Sequence, residues 1–173
     1  MRKILIFLII LSNLTFGVQN FSANSKVLDK IEAEVTKELE RGNNEKAISI
    51  LKKSILENPE KSVFLKIMLG MIYIDMERNS EAEKEFNEAV ELQKKYPFFD
   101  ENGKKQDVKL IIGLIYLGAE DTKNALKCLK QVSDKDFNEI LDNQKGLKDY
   151  ILGILNYKED NIEEAKKNLL KSY

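Results

Sequence analysis

Histidine and cysteine, which often take part in catalysis and metal binding, are absent or nearly absent from this sequence. The chain has no histidine, which removes the most common general base and the most common nitrogen ligand of zinc. Serine, threonine and cysteine nucleophiles need a neighbouring base, and none is evident here. The adjacent carboxylates Glu163 and Glu164 lie in a run of mixed charges, which is typical of a solvated helix surface. No glycine-rich phosphate loop is present, so we predict a protein that is not an enzyme and uses no cofactor.

Two further groups of residues bear on metal and redox chemistry. Asp100, Asn102 and Gly103 have residue types found in calcium loops, but the remaining ligand spacing is absent, and we interpret the segment as a turn. Cys128 is the only cysteine, so no internal disulfide can form. A small buried residue is the favoured interpretation over a reactive thiol. We therefore predict no metal site.

Charge and composition narrow the class of partner. The chain has 28 basic and 29 acidic residues; without Arg2 and Lys3 of the N-terminal segment the balance is 26 against 29, a net charge of −3. Nucleic-acid-binding proteins usually carry a basic face, so we expect no nucleic-acid partner. A content of 43% hydrophobic residues indicates a globular chain, and only two prolines and eight glycines favour long helices.

The N-terminus has the three parts of a secretory signal. Residues 1–17 read MRKILIFLIILSNLTFG, with a basic start, an apolar run over Ile4–Leu11, and small residues at Thr15 and Gly17. This order predicts export and removal of the segment by a signal peptidase. An uncleaved membrane anchor is the alternative, but the apolar run is shorter than the roughly 20 residues that a spanning helix needs.

The predicted cleavage follows Gly17, with Ala23 as a second site. A linker over 18–25 and a folded domain over 26–173 would then remain, with no stable membrane span. We expect the protein in the periplasm or at the surface of a bacterial cell.

Three segments of the folded part repeat one pattern. Each has Leu or Ile before a glycine, an alanine twelve residues after that glycine, and a large apolar residue four positions further on. The members are Gly70, Ala82 and Phe86; Gly113, Ala125 and Leu129; Gly153, Ala165 and Leu169. Tyr73 and Tyr116 follow the first two glycines by three residues, and Asn156 holds that position in the third copy.

A fourth, degenerate copy of the pattern precedes these three. Ala47, Leu51 and Pro59 fit its second half, whereas Val35 replaces the glycine and Glu38 replaces the tyrosine. The repeated alanines are 35, 43 and 40 residues apart, so the later junctions contain insertions.

These residues resemble the tetratricopeptide repeat, a helix–turn–helix unit of about 34 residues. No copy has the tryptophan of that family, and only Pro59 stands where the family has proline. The resemblance covers residues 28–173 and implies an all-α solenoid of about four hairpins, near 28–61, 62–97, 106–138 and 146–173.

Helix positions follow from this alignment. We expect first helices near 26–41, 62–77, 106–118 and 146–157, and second helices near 44–57, 80–96, 122–132 and 161–172. The insertion at 97–105 is expected to form a turn with two aromatic residues. The insertion at 133–145 is expected to add a helical turn.

In tetratricopeptide domains the first helices line a concave groove that holds a peptide or helix. The resemblance therefore implies a partner-binding groove with these residues: Phe64, Ile67, Met71, Ile74, Leu110, Leu114, Leu117, Leu147, Tyr150, Ile154 and Tyr157. The first helices of hairpins two to four are apolar on almost every side, and such helices are normally buried. Three interpretations stay open: a groove for a protein partner, a site for a lipid-like ligand, or plain core covered by the chain itself.

The predicted function is a protein–protein interaction scaffold in the cell envelope. The alternative is a structural subunit that self-associates or joins an envelope complex. The last copy lacks a polar capping helix, which stacked repeats normally have. A partner, a longer chain, or the polar residues Lys166, Lys167 and Lys171 would each account for that.

Overall fold

A computed structural model describes residues 25–99, 105–140 and 146–173. The predicted signal at 1–17, most of the linker at 18–25 and the turn at Asp100, Asn102 and Gly103 lie outside the described residues. The chain forms two compact units, which divide between Gln106 and Asp107.

Nine α-helices lie in the described part of the chain. The first unit contains α1 Ser25–Glu40, α2 Asn44–Glu57, α3 Ser62–Asp75 and α4 Asn79–Leu92. The second unit contains α5 Val108–Gly118, α6 Thr122–Leu129, α7 Asp134–Ile140, α8 Leu147–Lys158 and α9 Ile162–Lys171.

The prediction of an all-α fold of helical hairpins is confirmed. The pairs α1–α2, α3–α4, α5–α6 and α8–α9 pack together and form hairpins one to four. Helix α7 lies in the second insertion, where an additional helical turn was expected. None of the helices among the described residues is long and apolar enough to span a membrane.

Each of the three repeated glycines lets two helices of one hairpin approach closely. A Cβ atom at Gly70 would lie 2.7 Å from Cδ1 of Phe86, and Cβ atoms at Gly113 and Gly153 would lie 2.7 Å from Cγ of Leu129 and Leu169. The large residue follows its glycine by 16 positions in all three hairpins. In hairpin one, Val35 and Leu51 have the same spacing and are both fully buried.

The four hairpins also share one turn. Gly42, Glu77, Glu120 and Asp160 each precede the second helix by two residues and have φ values of 75°, 59°, 62° and 57°. This left-handed conformation is easy for glycine and costs other residues roughly 1–2 kcal/mol. Three of the four hairpins therefore hold a carboxylate residue in a conformation that suits glycine.

The hydrogen bonds of these turns explain why the conformation is kept. The residue after the left-handed position donates its N–H to the carbonyl five residues back, at 2.8–2.9 Å. These bonds join Asn43 to Glu38, Arg78 to Tyr73, Asp121 to Tyr116 and Asn161 to Asn156. The pattern is that of a Schellman motif, which satisfies carbonyl groups at a helix end.

Side-chain caps are less uniform. The Asp107 and Asp121 carboxylates accept the N–H groups of Lys109 and Asn124 at 2.8 and 3.0 Å. Asn43 has no such bond to the start of α2. Its amide nitrogen donates to Glu38 at 2.9 Å. Asn161 likewise makes no side-chain cap at the start of α9.

Within each unit, one hairpin packs on another. In the first unit α2 packs against α3, and Arg78 joins hairpin two to hairpin one through a 2.7 Å bond to Glu45. In the second unit α6 packs against α8, and the Thr122 hydroxyl is hydrogen-bonded to Glu159. This stacking gives each pair of hairpins a shared core.

Candidate protein-binding surface

The predicted groove residues of hairpin two lie mostly inside the protein. Ile67 is fully buried, and Phe64 and Met71 expose 7% and 5% of their surface. The Phe64 ring stacks on Phe98 with ring centroids 6.3 Å apart. Phe98 comes from the first insertion, so a segment of the same unit covers this part of the predicted groove. Ile74 is half-buried.

Hairpin three shows an intermediate arrangement. Leu110 is fully buried, whereas Leu114 and Leu117, further along α5, are half-buried. The predicted face of α5 is therefore only partly accessible.

Hairpin four exposes the predicted residues most strongly. Tyr150, Ile154 and Tyr157 expose 52%, 37% and 64% of their surface, and Leu147 is half-buried. Residues spaced by four and three positions share one side of a helix. Tyr150, Ile154 and Tyr157 thus form one apolar and aromatic face, which we name the α8 stripe.

The opposite side of α8 is held firmly. Gly153 packs against Leu169 of α9. Asn156 is fully buried; its amide donates to the Leu152 carbonyl at 2.8 Å, and its oxygen accepts from Lys130, the residue after α6, at 3.3 Å. The α8 stripe therefore lies on an element whose other side is fixed by packing and hydrogen bonds.

The beginning of α8 is also fixed. Gly146 has φ of 81°, and a Cβ atom there would lie 3.1 Å from the Cα of Ser172. Lys148 donates to the Val132 carbonyl at 2.6 Å and to Asp134 at 2.7 Å. The hydrogen bond from Lys148 lowers the pKa of the Asp134 carboxyl. Both contacts hold the first turn of α8 against the α6–α7 connection.

Lys66 is engaged within hairpin two. Its ammonium group donates to Glu85 and Glu88 at 2.6 and 2.5 Å, and the Lys66 and Glu85 side chains expose only 12% and 11% of their surface. Burial alone would lower the Lys66 pKa, but the hydrogen bonds to Glu85 and Glu88 outweigh burial and raise it. Lys66 therefore stabilises hairpin two and is not placed to bind a carboxylate of a partner.

The α8 stripe has the composition of a binding surface. Tyrosine offers a large apolar ring and a hydroxyl that can form a hydrogen bond with a partner. Tyrosine is also enriched among the residues that contribute most to protein–protein binding. Among the residues that the structure describes, no cluster of three acidic or thiol side chains could hold a metal ion.

Helix α9 carries two exposed apolar residues that were not predicted. Ile162 and Leu170 on α9 expose 41% and 76% of their surface. Comparing the same repeat position between hairpins would have revealed them, because the other three hairpins carry polar residues there.

The fold defines an all-helical protein built from stacked hairpins. Residues 65–96, most of hairpin two, match the family model of the tetratricopeptide repeat. This match supports the family resemblance, and repeats of this family generally mediate protein–protein interaction within non-enzymatic scaffolds. No curated protein matches the chain.

Proposed function

We propose that this protein is an exported, non-enzymatic scaffold that binds a protein partner through the α8 stripe. The exposure of Tyr150, Ile154 and Tyr157 on one side of α8 is the observation that carries the proposal. Contiguous apolar residues on a protein surface mark sites of association. The match to the tetratricopeptide repeat favours a protein over other ligands.

Burial refines which predicted residues take part. Ile67 and Leu110 are fully buried, so they support their hairpins from within. Leu114 and Leu117, which belong to the same unit as α8, are half-buried and would contribute at the edge of the surface. The α8 stripe is the main contact.

Site-specific photocrosslinking in cells tests this function. A photoreactive residue at Tyr157 should capture a defined partner, and Ile154→Glu in the same chain should abolish the capture. A photoreactive residue at Leu56, which is 83% exposed on α2, is the control and should not capture that partner. Equal capture from both positions would contradict the proposal.

Binding by purified proteins completes the test. The captured partner should bind the wild-type chain, and Tyr150→Glu and Tyr157→Glu should each raise the dissociation constant about tenfold or more. Both positions are exposed, so the variants should retain the helical circular dichroism of the wild type. Unchanged binding by folded variants would rule out the α8 stripe.

The proposed export has its own test. The full chain should appear in the periplasmic or surface fraction with a new N-terminus at Val18 or Asn24. A chain without residues 2–17 should stay in the cytoplasm. Recovery of the uncleaved chain in the membrane fraction would favour an anchor instead.

A further inference from the structure

Phe64 is an aromatic residue at a repeat position where the other hairpins have none. It lies six residues before Gly70 in α3. The matching residues of hairpins one, three and four are Asp29, Asp107 and Leu147. The repeat itself therefore does not require an aromatic side chain at this position.

The segment that contacts Phe64 is also additional to the repeat. Ala47 and Ala82 are 35 residues apart, whereas Ala82 and Ala125 are 43 apart, so hairpin two is followed by an insertion. Phe98 lies in this insertion, and its ring is nearly parallel to the Phe64 ring, with an angle of 5° between their planes. Both rings of the stack are thus specific to hairpin two and its insertion.

Two backbone contacts join the arms of the insertion. The Phe98 carbonyl accepts the N–H of Gln106 at 2.8 Å. Phe99 and Lys105 form an isolated antiparallel bridge. These contacts hold Phe98 where its ring meets Phe64. We name residues 97–99 and 105–106 the Phe98 strap.

Most of the Phe98 strap lies at the surface. Pro97 and Lys105 are exposed, Phe99 exposes 43% of its surface, and Phe98 is half-buried. Phe64, in contrast, exposes only 7%. A segment that buries few apolar side chains opens more readily than a core helix does. Local opening of the strap would therefore uncover Phe64 while α3 stays folded.

We propose that the Phe98 strap is a releasable internal ligand of a second binding site, which takes an aromatic side chain on hairpin two. Phe98 fills the site in the free chain. An extended segment of a partner that presents a phenylalanine or tyrosine replaces Phe98 and stacks on Phe64. The same chemistry accepts both ligands, because aromatic rings attract each other in offset stacked arrangements.

An internal ligand makes the site selective. A tethered segment has a high effective concentration at its own site. A partner binds only the fraction of chains in which the strap is open, so its apparent affinity is reduced by that fraction. The site lies in the first unit, whereas the α8 stripe lies in the second. The proposal therefore does not depend on the partner of the α8 stripe.

Amide hydrogen exchange of the full wild-type chain tests whether the strap opens. The Gln106 N–H, which is bonded to the Phe98 carbonyl, should exchange about tenfold or more faster than the Leu69 N–H in the middle of α3, after correction for intrinsic rates. Low concentrations of urea should leave the Gln106 rate unchanged, because local opening exposes little surface. Equal protection of both amides would show that the strap belongs to the core and would overturn the proposal.

A synthetic peptide of residues 94–99, KKYPFF, tests whether the site accepts a ligand from outside. In an NMR titration of the full chain, Phe98→Ala should bind this peptide about tenfold or more tightly than the wild type does, because its own ligand is missing. The shift changes should lie around Phe64. Phe99→Ala, which removes the exposed ring beside Phe98, is the matched control and should bind as the wild type does. A peptide with alanine in place of Phe98 should not bind.

Circular dichroism checks that Phe98→Ala is folded; if it is not, the exchange of Gln106 in the wild type decides. A folded Phe98→Ala chain that binds the peptide no better than the wild type would contradict the proposal. Shift changes at the α8 stripe instead of α3 would contradict it too. Loss of photocrosslinking from Tyr157 would concern the α8 stripe only.

Discussion

Asp149 and Lys171 form an ion pair of 3.0 Å between the two helices of hairpin four. The same two repeat positions in hairpin two hold Lys66 and Glu88, 2.5 Å apart, so the charges are exchanged. In hairpin three these positions hold Lys109 and Gln131, which form a 2.9 Å hydrogen bond. The contact between helices is thus retained in three hairpins with three different pairs of side chains.

Charge exchange in hairpin four should therefore be tolerated. Asp149→Lys and Lys171→Glu should each lower the melting temperature, because each puts two like charges together. The double variant restores an opposite pair and should melt near the wild type. Thermal unfolding followed by circular dichroism measures this. A double variant that melts below both single variants would contradict it.

Lys66 should contribute more to stability than the pair in hairpin four, because Lys66 and Glu85 are nearly buried. Lys66→Met should lower the free energy of unfolding by about 2 kcal/mol, since it leaves the Glu85 carboxylate without its partner. Lys66→Met/Glu85→Gln should recover part of the loss. Urea denaturation of the four chains gives the coupling between the two residues. If the effects of the two substitutions on the free energy of unfolding were additive, the ion pair would be unimportant for stability.

The Lys66 pKa also predicts an effect of alkaline pH. Its folded-state pKa lies above the ordinary value. The protonated side chain therefore contributes its full stabilisation below that ordinary value, and the contribution is lost as the pH rises through the folded-state pKa. The Lys66→Met variant should lack this alkaline loss.

Glu38 should make the stability of the protein depend on pH in the acidic range. It replaces the tyrosine of hairpins two and three, is buried, and accepts bonds from Asn43 and Lys46 at 2.9 and 3.1 Å. These bonds, that from Asn43 first, lower its pKa. The carboxylate therefore stabilises the protein above its ordinary pKa, and this contribution is lost as the pH falls through the lowered value.

Glu38→Gln should remove that part of the acid dependence. Urea denaturation at neutral pH and at mildly acidic pH values should show a smaller fall in stability for the variant than for the wild type. Glu57→Gln, an exposed change in α2, is the control and should behave as the wild type does. If the stability of the wild type and of Glu38→Gln fell equally between neutral and acidic pH, Glu38 would not be the source of the acid dependence.

The effects of substitutions at Gly70 and Phe86 on stability should depend on each other. Gly70→Ala should destabilise the chain by about 2 kcal/mol, because the new methyl group collides with the Phe86 ring. Gly70→Ala/Phe86→Ala should cost less than the sum of the single changes. Gly118→Ala, at the exposed end of α5, should be neutral or slightly stabilising. Additive losses would indicate that the collision is relieved elsewhere.

The left-handed turns offer a route to greater stability. Glu120→Gly should raise the free energy of unfolding by about 0.5–1 kcal/mol, because glycine adopts the turn conformation without strain. Gly42→Ala, at the equivalent turn, should lower it by about 1 kcal/mol. Lys84→Gly in the middle of α4 should also be destabilising. A loss of stability on Glu120→Gly would show that its side chain has another role.

The helices and hairpins could be predicted because their determinants are local. Small residues such as Gly70 and Ala82, large ones such as Phe86, and the spacing between them define a hairpin in sequence. The left-handed turns at Glu77, Glu120 and Asp160 were not predicted, since glutamate gives no signal of that conformation and aspartate only a weak one. Only the repeated hydrogen bond to the carbonyl five residues back shows why it is adopted.

The sequence by itself determined that the chain forms helical hairpins, and helical spacing indicated which residues of each first helix share a side. Helical periodicity specifies a direction around a helix, and that property is local. The tertiary structure decided which of these residues are accessible, because burial depends on what packs against them. Ile67, three residues before Gly70, is fully buried, whereas Tyr150, at the same position before Gly153, remains exposed.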